Sequence, residues 1–526
     1  MEYRRYLRKG LLIIICLLPM LLVWYYGDKK EGYFVDELWS YGLANSTEYP
    51  HIYSIQGWDQ KWQTPEYYMN YIEVEKGQQF DYRTVIYNQT QDNHPPLFYL
   101  ILHTVCSLFP GTFSKWYGIV PNIIYYAVTG LFLYLLARRL SGSKRISFIT
   151  MLVWACSAGA VSCVVYIRMY MLMTMWLVIL LYLYARIWTD RPLGIRVYGW
   201  TALITFLGYM THYYFYIAVF FAGGALALML LTDRCRRKLL YRFAAANLLS
   251  LGGILLCFPL SFWKIFGLDT DRGVQAYDAL QAHENLWGKL RAYIAILGQQ
   301  IFGNFLKEFV LLLILIFLFC LIRRRESLGW IKEKEFSFLT VPVIMIAGYT
   351  SIIALVAPYQ VDRYIFCIYP FALLVMFSFL GRLLKTLKFS AAGVCIALAV
   401  AAGAMLVQEY RTAGVNYLYL GEAQNLETAA AYGDLDCVYI SRYDYLITAD
   451  ILEVANYKKI RRIHENEISK LYRILEPGTT EVIVYVDKDS YNRIEEMEAS
   501  LISGSKLNWW EILFETSTCR VYRIFE

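Results

Sequence analysis

The chain has 526 residues, 58% of them apolar and only 18% charged, with a net charge of +7 and a mean hydropathy of +0.38. A soluble globular chain carries roughly 45–50% apolar and 25% charged residues, so the charges here are too few to clothe a soluble surface. This excludes a soluble enzyme, a disordered chain, a collagen-like repeat and a disulfide scaffold, and it leaves a polytopic α-helical membrane protein. The excess of Lys and Arg is not a nucleic-acid signal, because it falls in short clusters between apolar runs rather than on one face or tail.

Arg4, Arg5, Arg8 and Lys9 precede an apolar run over residues 11–26 that ends in Trp24-Tyr25-Tyr26. An interfacial aromatic anchor with no small-residue cleavage site predicts an uncleaved first span with a cytoplasmic N-terminus. Residues 28–94 follow as a polar, Tyr- and Trp-rich outer loop. Further apolar runs lie near 118–137, 146–165, 170–188, 197–211, 213–231, 243–262, 304–322, 337–357, 364–381 and 389–408. The run at 95–109 decides the topology. Counted as a span, it would place Arg138-Arg139, Lys144-Arg145 and every later basic cluster outside. Read as a juxtamembrane or re-entrant helix, it places those clusters in the cytoplasm, as the positive-inside rule favours, and gives about eleven spans.

That topology gathers Arg168-Met169-Tyr170, His212-Tyr213-Tyr214, a loop over 264–303 and the run from Pro358 to Tyr364 on the outer face with the 28–94 loop. They are expected to form one site. Residues 1–408 are predicted to be the transmembrane domain, with the first outer loop and its juxtamembrane helices over 28–117. Residues 409–526 turn mixed-polar and are predicted to be a small extracytoplasmic α/β domain. Its expected elements are strands at Asp436–Ser441, 481–486 and Cys519–Phe525, a turn at Pro477-Gly478-Thr479-Thr480, and an amphipathic helix over 489–503. Nine of the eleven cysteines sit in or beside apolar runs; Cys437 and Cys519, in the polar part, could pair in an oxidising compartment.

Asp36-Glu37 stands in an aromatic stretch about ten residues beyond the first span. Burial there raises a carboxylate pKa and a nearby Arg restores ionisation, so either residue could be a placed general base. Asp92-Asn93-His94-Pro95-Pro96-Leu97 is the most specific short signal in the chain. Prolines suit a first helical turn, and a helix start flanked by His is suited to an anion. Arg168 and Arg363, followed by Tyr170 and Tyr364, are outer-end arginines in a chain that otherwise keeps its basic clusters inside, and an Arg pair fits phosphate. His212 could join them or be an ordinary interface histidine. No paired-His or CxxC spacing appears, so a divalent cation is left open with only acidic residues to support it. Asn45-Ser46-Thr47 and Asn88-Gln89-Thr90 fit glycosylation sequons.

Together these motifs resemble the GT-C fold glycosyltransferases that use polyprenyl-phosphate sugars, notably the protein O-mannosyltransferase and aminoarabinose transferase superfamily and its bacterial homologues. The resemblance covers roughly residues 10–380. It implies a cell-membrane, multi-pass glycosyltransferase whose partners are a polyprenyl-phosphate-linked sugar, membrane lipid and a glycan, lipid or protein acceptor. It implies catalytic roles for Asp36, with Glu37 beside it, and for Asp92, and donor-phosphate roles for His94, Arg168 and Arg363. Tyr170, His212 and Tyr364 stand beside these. The family pattern places an acidic residue directly before the Lys or His in some members, whereas here Asn93 separates Asp92 from His94. Two other classes stay open: a transporter or flippase of lipid-linked sugars, which would place ionisable groups near span midplanes, and a polysaccharide polymerase or ligase.

Overall fold

A computed structural model describes residues 17–47, 49–191, 193–266, 285–488 and 507–526. The chain divides into two compact units. The first comprises Met1–Gly27, Asn93–Phe98 and Ile119–Asn416; the second comprises Asp28–Asp92, Tyr99–Gly118 and Tyr417–Glu526.

The first unit is helical. Among the described residues seven helices are long and apolar enough to cross a membrane, or nine if each of two bent pairs makes one span. The run expected at 197–211 forms Arg196–Tyr209, only 14 residues long. Of the first expected span, the described part is helical over 17–29. The apolar run after Pro96 forms Leu97–Ser107, 11 residues, or about 16 Å at 1.5 Å per residue, roughly half the hydrocarbon thickness. Tyr170–Thr189 is apolar on every face and 83% buried along its apolar window, whereas Arg237–Cys257 is 22% buried. A helix apolar all round and covered by protein is central; one left largely uncovered is peripheral.

Both breaks have local causes. Lys144–Cys156 ends at Ser157, whose hydroxyl accepts from Ala160 N at 3.2 Å and starts Ala158–Val165 at an angle of 53°. The freed Ala158 N–H donates to the buried Glu409 carboxylate at 3.1 Å. The stretch read as a loop over 264–303 instead holds a helix, Leu286–Phe302. Lys289, Arg291, Gln299 and Gln300 had diluted its apolar signal, and residues 267–284 lie outside the described ones. It ends at Gly303 with φ +55°, where a Cβ would stand 2.5 Å from the Met405 carbonyl oxygen, so both conformation and space demand glycine. The chain then turns 85° into Leu306–Arg323.

The second unit is built on a mixed five-stranded sheet. Its strands are β1 (Asp436–Ser441), β2 (Lys459–His464), β3 (Glu481–Asp487), β4 (Trp509–Glu515) and β5 (Cys519–Phe525), in the order β2-β1-β3-β5-β4. β1 pairs parallel with β2 and β3; β5 pairs antiparallel with β3 and β4. The three expected strands are present. β2 and β4 escaped the sequence reading because β2 carries Lys459, Arg461 and Arg462, and β4 leaves Trp509, Trp510 and Ile512 exposed. The helix expected over 489–503 lies outside the described residues.

Val438, Ile440, Val484, Val486 and Ile524 form the core of one sheet face, and Trp62 from the loop after the first span packs against it. Gln63 bridges Ile460 on edge strand β2, and Arg462 pairs with Asp444 at 2.6 Å and Asp59 at 3.7 Å. The first loop and the C-terminal segment therefore share a core. Cys437 and Cys519 are both buried free thiols. Neither sequon asparagine is accessible: Asn45 donates to Ile72 O at 2.7 Å, and Asn88 to Leu43 O and Ser46 O at 3.2 and 2.9 Å.

Candidate active site

In the first unit the segments carrying His94 and His212 are tied together by backbone. Leu97 N donates to Met210 O at 3.0 Å, next to the turn that ends Arg196–Tyr209 and starts Tyr214–Thr232. Gly208 keeps this turn tight, since a Cβ there would meet the Phe215 ring at 2.1 Å. His94 Nε2 lies 3.5 Å from an Arg168 guanidinium nitrogen, and the His94 and His212 rings are 5.6 Å apart. His212 contacts the rings of Tyr170 at 5.3 Å and Tyr214 at 4.7 Å. Tyr214 reaches Tyr364 at 5.7 Å, and the Arg363 guanidinium lies 5.3 Å from the Tyr364 ring centre. Residues from four distant stretches, all named from sequence, thus form one continuous cluster.

The local backbone positions these groups. Arg168 stands in the short link between Ala158–Val165 and Tyr170–Thr189, where Asn122 Nδ2 donates to Val164 O at 3.0 Å and Tyr166 O at 3.1 Å. Arg363 lies in the 3-10 turn Asp362–Tyr364. Asp362 Oδ2 accepts from Gln300 Nε2 at 2.8 Å and from Asn416 Nδ2 at 2.7 Å. Tyr349 donates to Tyr364 O at 2.7 Å, and Tyr293 to Tyr359 O at 3.0 Å. Gln300 and Asn416 were missed by the sequence reading; the only signal was an amide in an otherwise apolar stretch. Asp362 stood inside a run already singled out, with no role given to it.

Arg168, Arg363 and His212 are buried. His212 Nδ1 accepts from Tyr214 N at 2.9 Å, so the neutral ring carries its proton on Nε2. Burial first, then His94 and Arg168, push the His212 pKa well below its usual value, which keeps it neutral at physiological pH. Two guanidinium groups with imidazole and phenol donors make a cluster suited to an anion rather than a cation.

The three candidate carboxylates belong to the second unit. Asp36 is half-exposed in the first turn of Val35–Asn45. Glu37 is fully buried, accepts from Phe34 N at 2.8 Å, and pairs with the equally buried Lys30 at 3.0 Å. Lys30 also donates to Tyr417 O at 2.6 Å; burial lowers its pKa, Glu37 opposes that shift, and Lys115 adds to it. Asp92 is the half-buried C-cap of Tyr82–Gln91 and acts electrostatically on His51 and Tyr53. Among the described residues no three His, Cys, Asp or Glu side chains are grouped to hold a metal ion.

Residues 93–263, which include His94, Arg168, Tyr170 and His212, match the family model described as dolichyl-phosphate-mannose-protein mannosyltransferase. The structure aligns with that of ArnT from Cupriavidus metallidurans bound to undecaprenyl phosphate, over 98% of each chain, with a TM-score of 0.58 at 11% identity. The chain has a GT-C fold. Apo ArnT from the same organism aligns over 98% of each chain, with a TM-score of 0.55 at 10% identity. The oligosaccharyltransferase AglB from Archaeoglobus fulgidus, in complex with an inhibitory peptide and a dolichol-phosphate, aligns over 95% of this chain and 72% of that chain, with a TM-score of 0.47 at 12% identity. No curated protein sequence matches the chain. The resemblance to the O-mannosyltransferases read from short motifs is thus met by this family model over residues 93–263, and the expected GT-C fold by the ArnT structures.

Proposed function

We propose that the protein is a membrane glycosyltransferase that moves one sugar from a polyprenyl-phosphate donor to an acceptor hydroxyl on the extracytoplasmic side, with the N-terminus in the cytoplasm. The observation that carries this reading is the cluster of buried Arg168, His212, Tyr170 and Arg363 with half-buried His94 and Tyr364. Undecaprenyl phosphate, named in the ArnT structure, is the class of lipid phosphate such a cluster suits.

The acceptor oxygen attacks the anomeric carbon and gives its proton to Asp36. The bond from that carbon to the phosphate oxygen breaks, and the lipid phosphate leaves with the electron pair while the configuration inverts. Arg168 and Arg363 stabilise the growing charge, and His94 and His212 donate hydrogen bonds; removing one such preplaced group costs on the order of 100–1000-fold in rate. We assign the base role to Asp36 and a structural one to Glu37, whose carboxylate is engaged by Lys30 and by its own helix start. Asp92 supports the acceptor side.

The test is transfer of label from radiolabelled polyprenyl-phosphate sugars by membranes containing the protein. Asp36→Asn should abolish transfer and leave lipid-phosphate binding intact; Arg363→Ala should weaken both. Wild-type turnover by either variant would remove its assigned role, and wild-type protein that transfers no lipid-linked sugar would remove the function.

A further inference from the structure

Trp39 lies one turn beyond Asp36 in Val35–Asn45, so the two side chains share a helix face. From Trp39 a row of aromatic rings extends in both directions. One arm runs through His51 at 6.0 Å to Tyr53 at 5.2 Å, the last two rings being parallel within 4°. The other runs through Tyr445 at 5.8 Å to Tyr443 at 5.6 Å, again nearly parallel. Tyr443 and Tyr445 are 46% and 37% exposed. They come from the C-terminal segment and the rest from the loop after the first span, all within the second unit.

Carboxylates flank this row. Asp92 and Asp444 both act on the Tyr53 phenol, whose pKa is pushed up to about 12, first by burial and then by these two groups. Asp444 is half-exposed and held by Arg462 at 2.6 Å. Two polar ring atoms in the row, Trp39 Nε1 and His51 Nδ1, are buried without a hydrogen-bond partner among the described residues. Leaving such groups unsatisfied is unfavourable, and a ligand hydroxyl is one way to complete them.

We infer that this row is an acceptor-binding platform, and that the acceptor is a saccharide seated with its ring faces on Tyr443, Tyr445 and Trp39 and its hydroxyls on Asp444 and Asp92. The inference deepens the proposed function and rests on it for the word acceptor; the saccharide site itself does not. Flat ring faces beside hydrogen-bond acceptors match the alternating C–H and O–H surfaces of a sugar. The two carboxylates repel an anionic lipid headgroup. The row starts a single helical turn from the assigned base, so a sugar unit at its Trp39 end brings a hydroxyl toward Asp36.

The experiment uses the detergent-solubilised full chain with soluble tri- and tetrasaccharides built from hexose, N-acetylhexosamine and pentose units, read by saturation-transfer NMR and by titration. At least one of these should bind, with Tyr443→Leu and Tyr445→Leu each weakening it about tenfold and Tyr445→Phe staying within about twofold. Binding of undecaprenyl phosphate should be the same in all three variants. The proposal is overturned if none of the saccharides binds the wild type, if the ring-deleted variants bind as tightly, or if a Ser- and Thr-rich peptide of similar size displaces the sugar. Saccharide binding that depends on the rings, in a protein that transfers no lipid-linked sugar, would keep the platform and sink the proposed reaction. Transfer that proceeds normally in Tyr443→Leu and Tyr445→Leu would sink the platform alone.

Discussion

Glu37→Leu separates two adjacent carboxylates that the sequence alone could not tell apart. In the wild type the Lys30 and Glu37 side chains are both fully buried and 3.0 Å apart. Removing the carboxylate leaves a buried ammonium group whose remaining hydrogen-bond acceptor among the described residues is the Tyr417 carbonyl, and breaking a buried pair from one side costs about 3–5 kcal/mol. The penalty has a ceiling, because Lys30 can discard its proton. Neutralising a lysine at pH 7 from an ordinary pKa near 10.4 costs about 4.6 kcal/mol. The lost acceptor at Phe34 N adds about 1 kcal/mol. At roughly 2–4 °C per kcal/mol for a folding unit of 150–250 residues, a total of about 4–5.6 kcal/mol should lower the unfolding midpoint by about 8–22 °C. Intrinsic-fluorescence melting in detergent measures this. Lys30→Met combined with Glu37→Leu should recover most of the loss, since an apolar pair leaves no buried charge, and Asp36→Asn should melt like the wild type. The reasoning fails if Glu37→Leu melts within about 2 °C of wild type, or if the double variant is no better than the single.

Asp362→Ala should release Gln300 and Asn416 together and loosen the turn that carries Arg363. A displacement of about 1 Å in such a group costs on the order of 100-fold in turnover, so transfer kinetics should show a large fall in kcat with a small change in melting, partly rescued in Asp362→Asn. Glu453 faces a cavity shared with Glu31, Glu422 and Asp450, and burial first, then Asp450 and Glu422, raise its pKa well above the usual carboxylate range. The folded state therefore favours the protonated form, and this contribution is full below the unfolded pKa and is lost as pH rises through the folded one. Melting of Glu453→Gln against wild type should show a stabilisation that grows from pH 5 to pH 8; a constant difference would refute it. Expression in a host that glycosylates secreted proteins should leave Asn45 and Asn88 unmodified, because both amides are buried donors to backbone carbonyls. A mobility shift on glycosidase treatment would contradict that.

Several candidate site residues were legible because their chemistry is rare where it stands. Arg168 and Arg363 are arginines at the helix ends opposite the basic clusters, and Asp92-Asn93-His94-Pro95-Pro96 joins titratable groups to a forced helix start. Gln300 and Asn416 carried no such contrast. An amide is unremarkable in sequence, and its task appears only when it reaches Asp362 across 62 or 54 residues of chain. Trp39, His51, Tyr53, Tyr443 and Tyr445 were indistinguishable from the many interfacial aromatics until the fold aligned them.

Apolar period, the placing of basic clusters and the prolines are properties of single segments, so the chain alone determined a polytopic helical protein, the short non-spanning helix after Pro96, three of the strands and the cationic positions. Contacts between segments far apart in the chain belong to no single segment. Tertiary structure alone decided that the loop after the first span shares a core with the C-terminal sheet, that Glu37 is engaged by Lys30 while Asp36 stays half-exposed, and through which ring and guanidinium contacts His94, Arg168, His212 and Arg363 meet. Burial and distance are what set these two adjacent carboxylates apart, and both are set by packing.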